Sequence, residues 1–228
     1  MMLDCAHCPV RDRAACSALE PHEREALAEN GRLLLMNGGQ TLFRAGDDST
    51  RCATLISGLL KVVSIEADGT EHILALIHPA GFVGELFTPF AEHDVVALVP
   101  SQLCVFGRGE ITRALHAQPR LTEALLRRSQ ADLHASRALL ALSVRRSARQ
   151  KVAGLLLALA RSASQSPCHP APLLDLPLSR ADMASLLGLT IESVSRQISA
   201  LERDGLIRRN GPRNVELCDS AALEQTAA

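Results

Sequence analysis

Three of the seven cysteines in this chain lie within its first sixteen residues, at Cys5, Cys8 and Cys16 of the run CAHCPVRDRAAC. Buried cysteines normally belong to an apolar core, whereas this run is short and polar. An odd number of cysteines, in a chain whose start does not resemble a signal peptide, argues against a disulfide framework. Metal binding or redox chemistry therefore remains as the functional interpretation of these thiols.

A second group of side chains, near the C-terminus, has the types that bind nucleic acid. Glu192, Ser195 and Arg196 are three and four residues apart, so a helix would present them on one face. There the arginine can contact guanine, the glutamate the cytosine amino group, and the serine a neighbouring base or phosphate. The alternative for Glu192 and Arg196 is a surface ion pair. The candidate DNA contacts, including arginines suited to phosphates, are Glu192, Ser193, Ser195, Arg196, Arg208, Arg209 and Arg213.

The segment around these residues predicts a helix-turn-helix followed by a hairpin wing. Ser179 can cap a first helix and Thr190 a second, with Gly188 allowing the tight turn between them. Asn210-Gly211 between two extended runs predicts the hairpin. The inward apolar positions of the two helices are Met183, Leu186, Leu187, Val194, Ile198 and Leu201.

The charge distribution agrees with a nucleic-acid interface in the C-terminal part only. Residues 145–216 hold eleven Lys and Arg against six Asp and Glu, whereas residues 1–144 hold thirteen against seventeen. A basic C-terminal part behind an acidic N-terminal part is the asymmetry expected of a protein that binds DNA through one domain. The longest apolar run, Val152 to Ala160, is too short to cross a membrane, so we expect a cytoplasmic protein that does not bind membranes.

The elements ahead of this segment are predicted to be a β-roll and a long helix. Between Gly39 and Glu110, short aliphatic runs alternate with glycine turns, which indicates a small antiparallel barrel or jelly roll. From Pro119 to about Val144 the period changes to that of an amphipathic helix. Its leucines at seven-residue steps, Leu126, Leu133 and Leu140, predict either a homodimer seam or packing against the chain's own barrel.

We therefore predict an α+β fold with four parts. Residues 1–18 form a cysteine-rich leader, 19–117 the β-roll, 118–145 the dimerisation helix, and 146–228 a winged helix-turn-helix domain. A helical stretch from Ala148 to Ala160 is followed by a Ser/Pro-rich loop, Arg161 to Pro172, ahead of the helix-turn-helix. Its adjacent Cys168 and His169 could be a ligand pair, although adjacent residues rarely chelate one metal, and we interpret the segment as a loop.

The order of β-roll, long helix and winged helix-turn-helix resembles the CRP/FNR family of bacterial transcription regulators over nearly the whole chain. The run IESVSR, from Ile191 to Arg196, is similar to the recognition-helix motif of the FNR branch. The resemblance implies a [4Fe-4S] cluster that oxygen destroys, with Cys5, Cys8, Cys16 and Cys104 as its ligands. It also implies a homodimer that binds palindromic double-stranded DNA, with half-sites like TTGAT/ATCAA, and contacts RNA polymerase.

The chemistry of the cluster agrees with this ligand set, because a [4Fe-4S] cluster takes four thiolates and a CxxC turn reaches two adjacent irons. The seven-residue gap from Cys8 to Cys16 is wider than in the best-known enteric members but occurs in other FNR-like proteins. A tetrahedral zinc site completed by His7 or Cys104 is the inorganic alternative. A lone cysteine in an aliphatic strand is often a core residue, which is the alternative for Cys104 and our interpretation of Cys52.

The sequence departs from the cyclic-AMP-binding relatives. Those carry an Arg-Ser pair about ten residues beyond the Gly-Glu-Leu of their phosphate pocket. Here Gly84-Glu85-Leu86 is followed in that region by His93, Asp94, Val95 and Val96. A carboxylate would repel the phosphate, so we expect no binding of cyclic AMP.

The predicted function is a DNA-binding regulator that senses oxygen through the cluster and dimerises while the cluster is intact. One alternative is a cluster-free regulator of the same fold, gated by zinc, thiol redox or a small ligand. Another is a ligand-binding module or enzyme subunit without DNA binding. No nucleophile constellation, phosphate-binding glycine loop or HExxH-type motif supports that second alternative, so we expect no enzymatic activity.

Overall fold

The computed structural model describes residues 3–164, 170–211 and 213–228. They form two compact units that divide between Ser136 and Arg137, within the long helix. The Cys168–His169 pair considered above lies outside the described residues. No helix in the described ranges is both long enough and apolar enough to cross a membrane.

Eight antiparallel strands of the first unit form two four-stranded sheets, which confirms the predicted β-roll. One sheet has the order β1-β8-β3-β6 and the other β2-β7-β4-β5. The buried side chains between them, among them Leu55, Leu60 and Leu103, are the aliphatic residues of the strand pattern. The strands are β1 (Gly31–Met36), β2 (Thr41–Phe43), β3 (Arg51–Ser57), β4 (Leu60–Ile65), β5 (Glu71–Ile77), β6 (Phe82–Val83), β7 (Asp94–Ala97) and β8 (Ser101–Gly107).

Three helices flank these sheets in the chain: α1 (Pro21–Glu29), α2 (Arg108–Ala117) and α3 (Pro119–Ser143). A 3-10 turn, Ala15–Ala18, precedes α1 and carries the third leader cysteine. The start of α1 is fixed by a capping box between Glu20 and Glu23, with Pro21 at its first position. The long helix α3 is confirmed, whereas α1 and α2, which lie before and at the end of the predicted strand region, were not predicted.

The second unit contains the predicted winged helix-turn-helix. After α4 (Ala148–Ala163), the two helices α5 (Arg180–Leu187) and α6 (Ile191–Arg203) enclose Gly188, whose backbone is left-handed at φ 60°. Ser179 and Asp182 cap α5 reciprocally, and the Thr190 side chain accepts a hydrogen bond at the start of α6. The wing has three strands rather than two, because a strand before α5 pairs with the hairpin. Its elements are β9 (Leu173–Asp175), β10 (Ile207–Arg209) and β11 (Asn214–Leu217), and α7 (Ser220–Ala227) ends the chain.

Candidate metal centre and nucleic-acid interface

Cys104 lies in the middle of β8, the strand that pairs with β1 on one side and β3 on the other. Its register partners are Leu33 and Thr54. The side chain is partly buried and packs in the apolar cluster around Cys52 and Phe106. The fourth predicted thiol is therefore held by the backbone hydrogen bonds of two neighbouring strands.

The leader thiols are held against the same side of the first unit. Cys8 and Cys16 pack on an apolar cluster formed by Val10 and Ala14 of the leader and Ala80 of the turn after β5. Val10 and Ala14 are buried, although the leader is mostly polar. These two small apolar residues fix the leader on the barrel, which its composition alone did not indicate.

All four predicted thiols, Cys5, Cys8, Cys16 and Cys104, line one cavity of about 420 Å³. Its remaining wall is mostly apolar and comes from the leader, α1, strands β1, β3, β6 and β8, α2 and the first turns of α3. Nowhere in the described residues do three His, Cys, Asp or Glu side chains converge on a point that could hold a single metal ion. A zinc ion needs its sulfur ligands within about 2.3 Å of one point. The cavity thus gathers four soft thiol donors, which is the ligand set that a [4Fe-4S] cluster takes. The space that they line is larger than a single metal ion requires.

Burial and mutual proximity raise the pKa of Cys5, Cys16 and Cys104. Burial first, and then the neighbouring Cys8, raise the pKa of Cys16 to about 11, and the same causes raise the pKa of Cys5. Burial also raises the pKa of Cys104, and the three leader thiols add to that rise. Thiolates in this cavity would repel one another, so ionising all four requires a compensating cationic centre among them.

Arg24 of α1 lines this cavity and was missed by the sequence interpretation. Its Nε donates to the carbonyl oxygen of Cys16 at 3.2 Å, and its Nη2 donates to that of Leu19 at 2.9 Å. Its positive charge acts against the rise in pKa of both Cys5 and Cys16. No sequence signal distinguishes this arginine from the other charged residues of α1.

Helix α3 presents two different faces. Leu121 is buried, and both Leu121 and Leu125 line the cysteine cavity. The seven-residue row lies on another face, with Leu126, Leu133 and Leu140 exposed by 62%, 48% and 64%. In its first turn, Arg120 binds Glu20 at 3.0 Å and Glu23 at 3.1 Å, which joins α3 to the start of α1.

The recognition helix α6 has the predicted division into a buried and an exposed face. Val194 and Ile198 are buried, whereas Glu192, Ser195 and Arg196 are exposed. Ser193 is instead engaged in the cap. Its backbone N–H donates to Thr190 Oγ1 at 3.2 Å, and its hydroxyl lies 3.0 Å from the same oxygen and 3.4 Å from Arg196 Nη2.

The three wing arginines differ in their partners. Arg208 pairs with Glu216 across the hairpin at 3.1 Å. Arg209 donates from Nε to Glu202 of α6 at 2.7 Å, a contact that lowers the pKa of Glu202. Arg213 is exposed near the hairpin tip. Two of the three arginines predicted to bind phosphate therefore already bind carboxylates.

The segment that would correspond to the phosphate pocket of the cyclic-AMP-binding relatives carries two carboxylates with structural partners. Glu85 accepts from the backbone N–H of Glu92 at 2.9 Å and from the Thr88 hydroxyl. Asp94 accepts from the backbone N–H of Ala45 at 2.7 Å. All three donors are neutral, so these contacts leave the negative charge of the carboxylates uncancelled.

Comparison with known protein families matches both parts of the chain. Residues 35–118 match a cyclic nucleotide-binding domain, and residues 150–226 match a Crp-like helix-turn-helix domain. The two matches cover the β-roll and the winged helix-turn-helix described above.

Relatives of similar length share the sequence from end to end. The transcriptional activator protein FnrL of Cereibacter sphaeroides is 34% identical over 98% of this chain and 91% of its own. The nitrogen fixation regulation protein FixK of Bradyrhizobium diazoefficiens is 30% identical over 98% of this chain and 94% of its own. The fumarate and nitrate reduction regulatory protein of Escherichia coli K12 is 24% identical over 99% of this chain and 90% of its own.

Among solved structures, FixK2 from Bradyrhizobium japonicum has the same fold. It superposes with a TM-score of 0.78 at 22% identity, covering 87% of this chain and 98% of that one.

Proposed function

The chain belongs to the CRP/FNR family of transcription regulators, which bind DNA as dimers and are not enzymes, and from this premise we propose that it is an FNR-type transcriptional activator that senses oxygen. The ligands of its sensing centre are Cys5, Cys8, Cys16 and Cys104, and the cofactor is a [4Fe-4S] cluster. The observation that carries this proposal is the single cavity that all four thiols line.

The cavity links the sensing centre to the dimerisation helix. When bound, the iron–sulfur cluster supplies an oxygen-labile connection between the leader and β8. The leader continues into α1, whose Glu20 and Glu23 hold Arg120 of α3. Leu121 and Leu125 of α3 close the cavity directly. The residues that surround the thiols therefore also set the position of the first turns of α3.

The dimer forms through the exposed leucine row of α3. Leu126, Leu133 and Leu140 leave apolar surface in water, which a second copy of the helix would bury. Of the charged side chains near the row, Arg127 pairs with Glu123 and Arg128 with Asp132 within the helix, at 2.6 Å each. These pairs reduce the like-charge repulsion between two copies. A free energy of a few kcal/mol from the occupied cavity is then enough to shift the monomer–dimer equilibrium.

The dimer places two recognition helices about one DNA turn apart, so that it binds a palindrome. Glu192, Ser195 and Arg196 make the base contacts, and the half-sites are like TTGAT/ATCAA. Arg208, Arg209 and Arg213 bind phosphates, and Ser193 supports Arg196 through its hydroxyl. The DNA-bound dimer contacts RNA polymerase in the cytoplasm to activate transcription.

Anoxic purification tests the sensing centre. We expect iron and acid-labile sulfide in the wild type, loss of both in Cys104→Ser, and no change in Cys218→Ser, whose thiol is exposed in the second unit. Sedimentation should show a dimer that dissociates in air. A colourless wild-type protein with one zinc per chain, or a dimer unaffected by oxygen, would contradict the oxygen-sensing proposal without contradicting DNA binding.

A cluster-free regulator is the second candidate, gated by thiol redox or by a small ligand. It is favoured by the mostly apolar lining of the cavity and by the absence, in the described part of the chain, of three side chains converging on one metal ion. The iron and sulfide assay separates the two candidates, because only the first requires both elements.

A further inference from the structure

Arg24 occupies an unusual position for a charged residue on the surface helix α1. Its side chain is partly buried in the wall of the cysteine cavity, and its Nε and Nη2 both donate to backbone carbonyls of the leader. The carbonyl of Cys16 also accepts from the backbone N–H of Leu19 at 3.2 Å. The Cys16 carbonyl therefore accepts from two donors, the backbone N–H that closes the turn after the third cysteine and the side chain of Arg24.

The charge of Arg24 is not neutralised by its hydrogen bonds. Both of these hydrogen bonds go to neutral carbonyl oxygens, so they do not cancel the guanidinium charge. The other arginine in the cavity wall, Arg11, instead binds the carboxylate of Asp12 at 3.1 Å. Among the described residues that line the cavity, Arg24 thus supplies positive charge to a site with four thiol donors.

We infer that Arg24 is a positioning residue for the iron–sulfur centre, which holds the Cys16 turn in place and offsets the negative charge of four thiolates. This inference rests on the proposed function. A hydrogen-bonded cation beside such a centre stabilises its more negative, reduced form and raises its reduction potential. Residues that hold a ligand in this way contribute to metal affinity although they do not touch the metal.

The two roles of Arg24 are separable by substitution. Arg24→Leu removes both the hydrogen bonds and the charge, whereas Arg24→Lys keeps the charge and loses the forked geometry. Arg13→Leu is the matched control, because Arg13 is an exposed leader arginine even closer in sequence to Cys16 and does not line the cavity.

Three measurements on the full-length protein test this inference. In anoxic samples with a chelator, we expect Arg24→Leu to lose its cluster about tenfold faster than wild type, and potentiometry should give it a lower reduction potential. In the metal-free protein, the Leu19 amide should exchange hydrogen faster in Arg24→Leu. Arg24→Lys should keep the potential of the wild type and lose the protection of that amide. Arg13→Leu should match the wild type in all three.

Failure of this inference and failure of the proposed function give different results. If wild type contains iron and sulfide but both Arg24 variants match it in cluster loss, potential and exchange, the role of Arg24 is wrong and the sensing centre stands. If wild type contains no iron or sulfide, both are overturned. Thermal unfolding, followed by circular dichroism, identifies a variant that has lost the barrel. If Arg24→Leu has lost it, then cluster loss, reduction potential and amide exchange in Arg24→Lys alone decide the role of Arg24.

Discussion

At the scale of single residues, the interface separates side chains that are available to DNA from those that have intramolecular partners. Arg196 is exposed near the start of α6 and, among the described residues, has only a long contact of 3.4 Å to Ser193. Arg208 and Arg209 are already paired with Glu216 and Glu202. Binding a phosphate through either wing arginine must therefore share or displace an existing ion pair.

The base contact proposed for Arg196 and the phosphate contact proposed for Arg213 predict distinct effects of their substitution on operator binding. Arg196→Ala should cost about 1–3 kcal/mol and relax the preference for guanine at one position of each half-site. Arg213→Ala should weaken binding to all sequences alike and reduce the salt slope by about one. Titrations against operator and base-substituted DNA at several salt concentrations measure both. Equal losses on specific and unrelated DNA in Arg196→Ala would assign this residue to phosphate binding instead.

At the scale of elements, α1 is the connection between the leader and the long helix. Its capping residues Glu20 and Glu23 both bind Arg120 in the first turn of α3. The same helix carries Arg24, which holds the turn after Cys16. Helix α1 thus contacts the leader through Arg24 and contacts α3 through its capping residues Glu20 and Glu23.

Arg120→Ala tests this connection without altering any thiol. Because the ion pairs are partly exposed, we expect only a two- to fivefold increase in the dimer dissociation constant, about 0.4–1 kcal/mol, with unchanged iron content. Anoxic sedimentation at several protein concentrations measures it. The control is Arg113→Ala, which removes an ion pair to Glu110 within α2. A dissociation constant equal to that of the wild type would show that α1 does not transmit the state of the cavity through Arg120.

At the scale of the whole molecule, we propose α3 as the element that a second copy of the chain contacts. The leucine row has no role in the core of either unit, since all three side chains are about half exposed or more. A regulator that binds a palindrome needs twofold symmetry, and a symmetric pair of α3 helices provides it.

Leu133→Glu should therefore separate dimerisation from folding. A glutamate in the middle of the seam would bury a charge opposite its own copy, so we expect the dimer dissociation constant to rise more than tenfold. The melting temperature of the monomer should change little, because the side chain is exposed in the single chain. Leu35→Glu is the control, since Leu35 is also about half exposed or more but lies on β1. A dimer of normal strength in Leu133→Glu would place the seam elsewhere.

The helix-turn-helix was predictable from the sequence because its signals are local. Ser179, Gly188 and Thr190 each act within four residues of their own position, through caps and a left-handed turn. The β-roll and α3 were predictable from periodicity for the same reason. Helix α1 has a weak apolar pattern, and its start depends on the capping box of Glu20 and Glu23, so it was missed.

Of the candidate metal centre, only the thiols were predictable from the sequence. Cysteine types and spacing point to the donors, but Arg120 contacts Glu20 and Glu23 across about a hundred residues of sequence. The bonds of Arg24 depend on how the leader folds back on α1, which no short motif encodes. Contacts of this kind follow from the tertiary fold and not from local propensity.

If the proposed [4Fe-4S] centre is bound, the position of Cys104 has a consequence for its repeated assembly. Its strand is hydrogen-bonded on both sides, so this ligand keeps its place whether or not the leader is attached. The other three ligands lie on one short segment before α1. On the proposed function, loss of the cofactor would therefore leave the barrel intact, and rebuilding the centre would require only that this segment return to Cys104. A molecule that had lost its cluster could in this way be recharged rather than replaced.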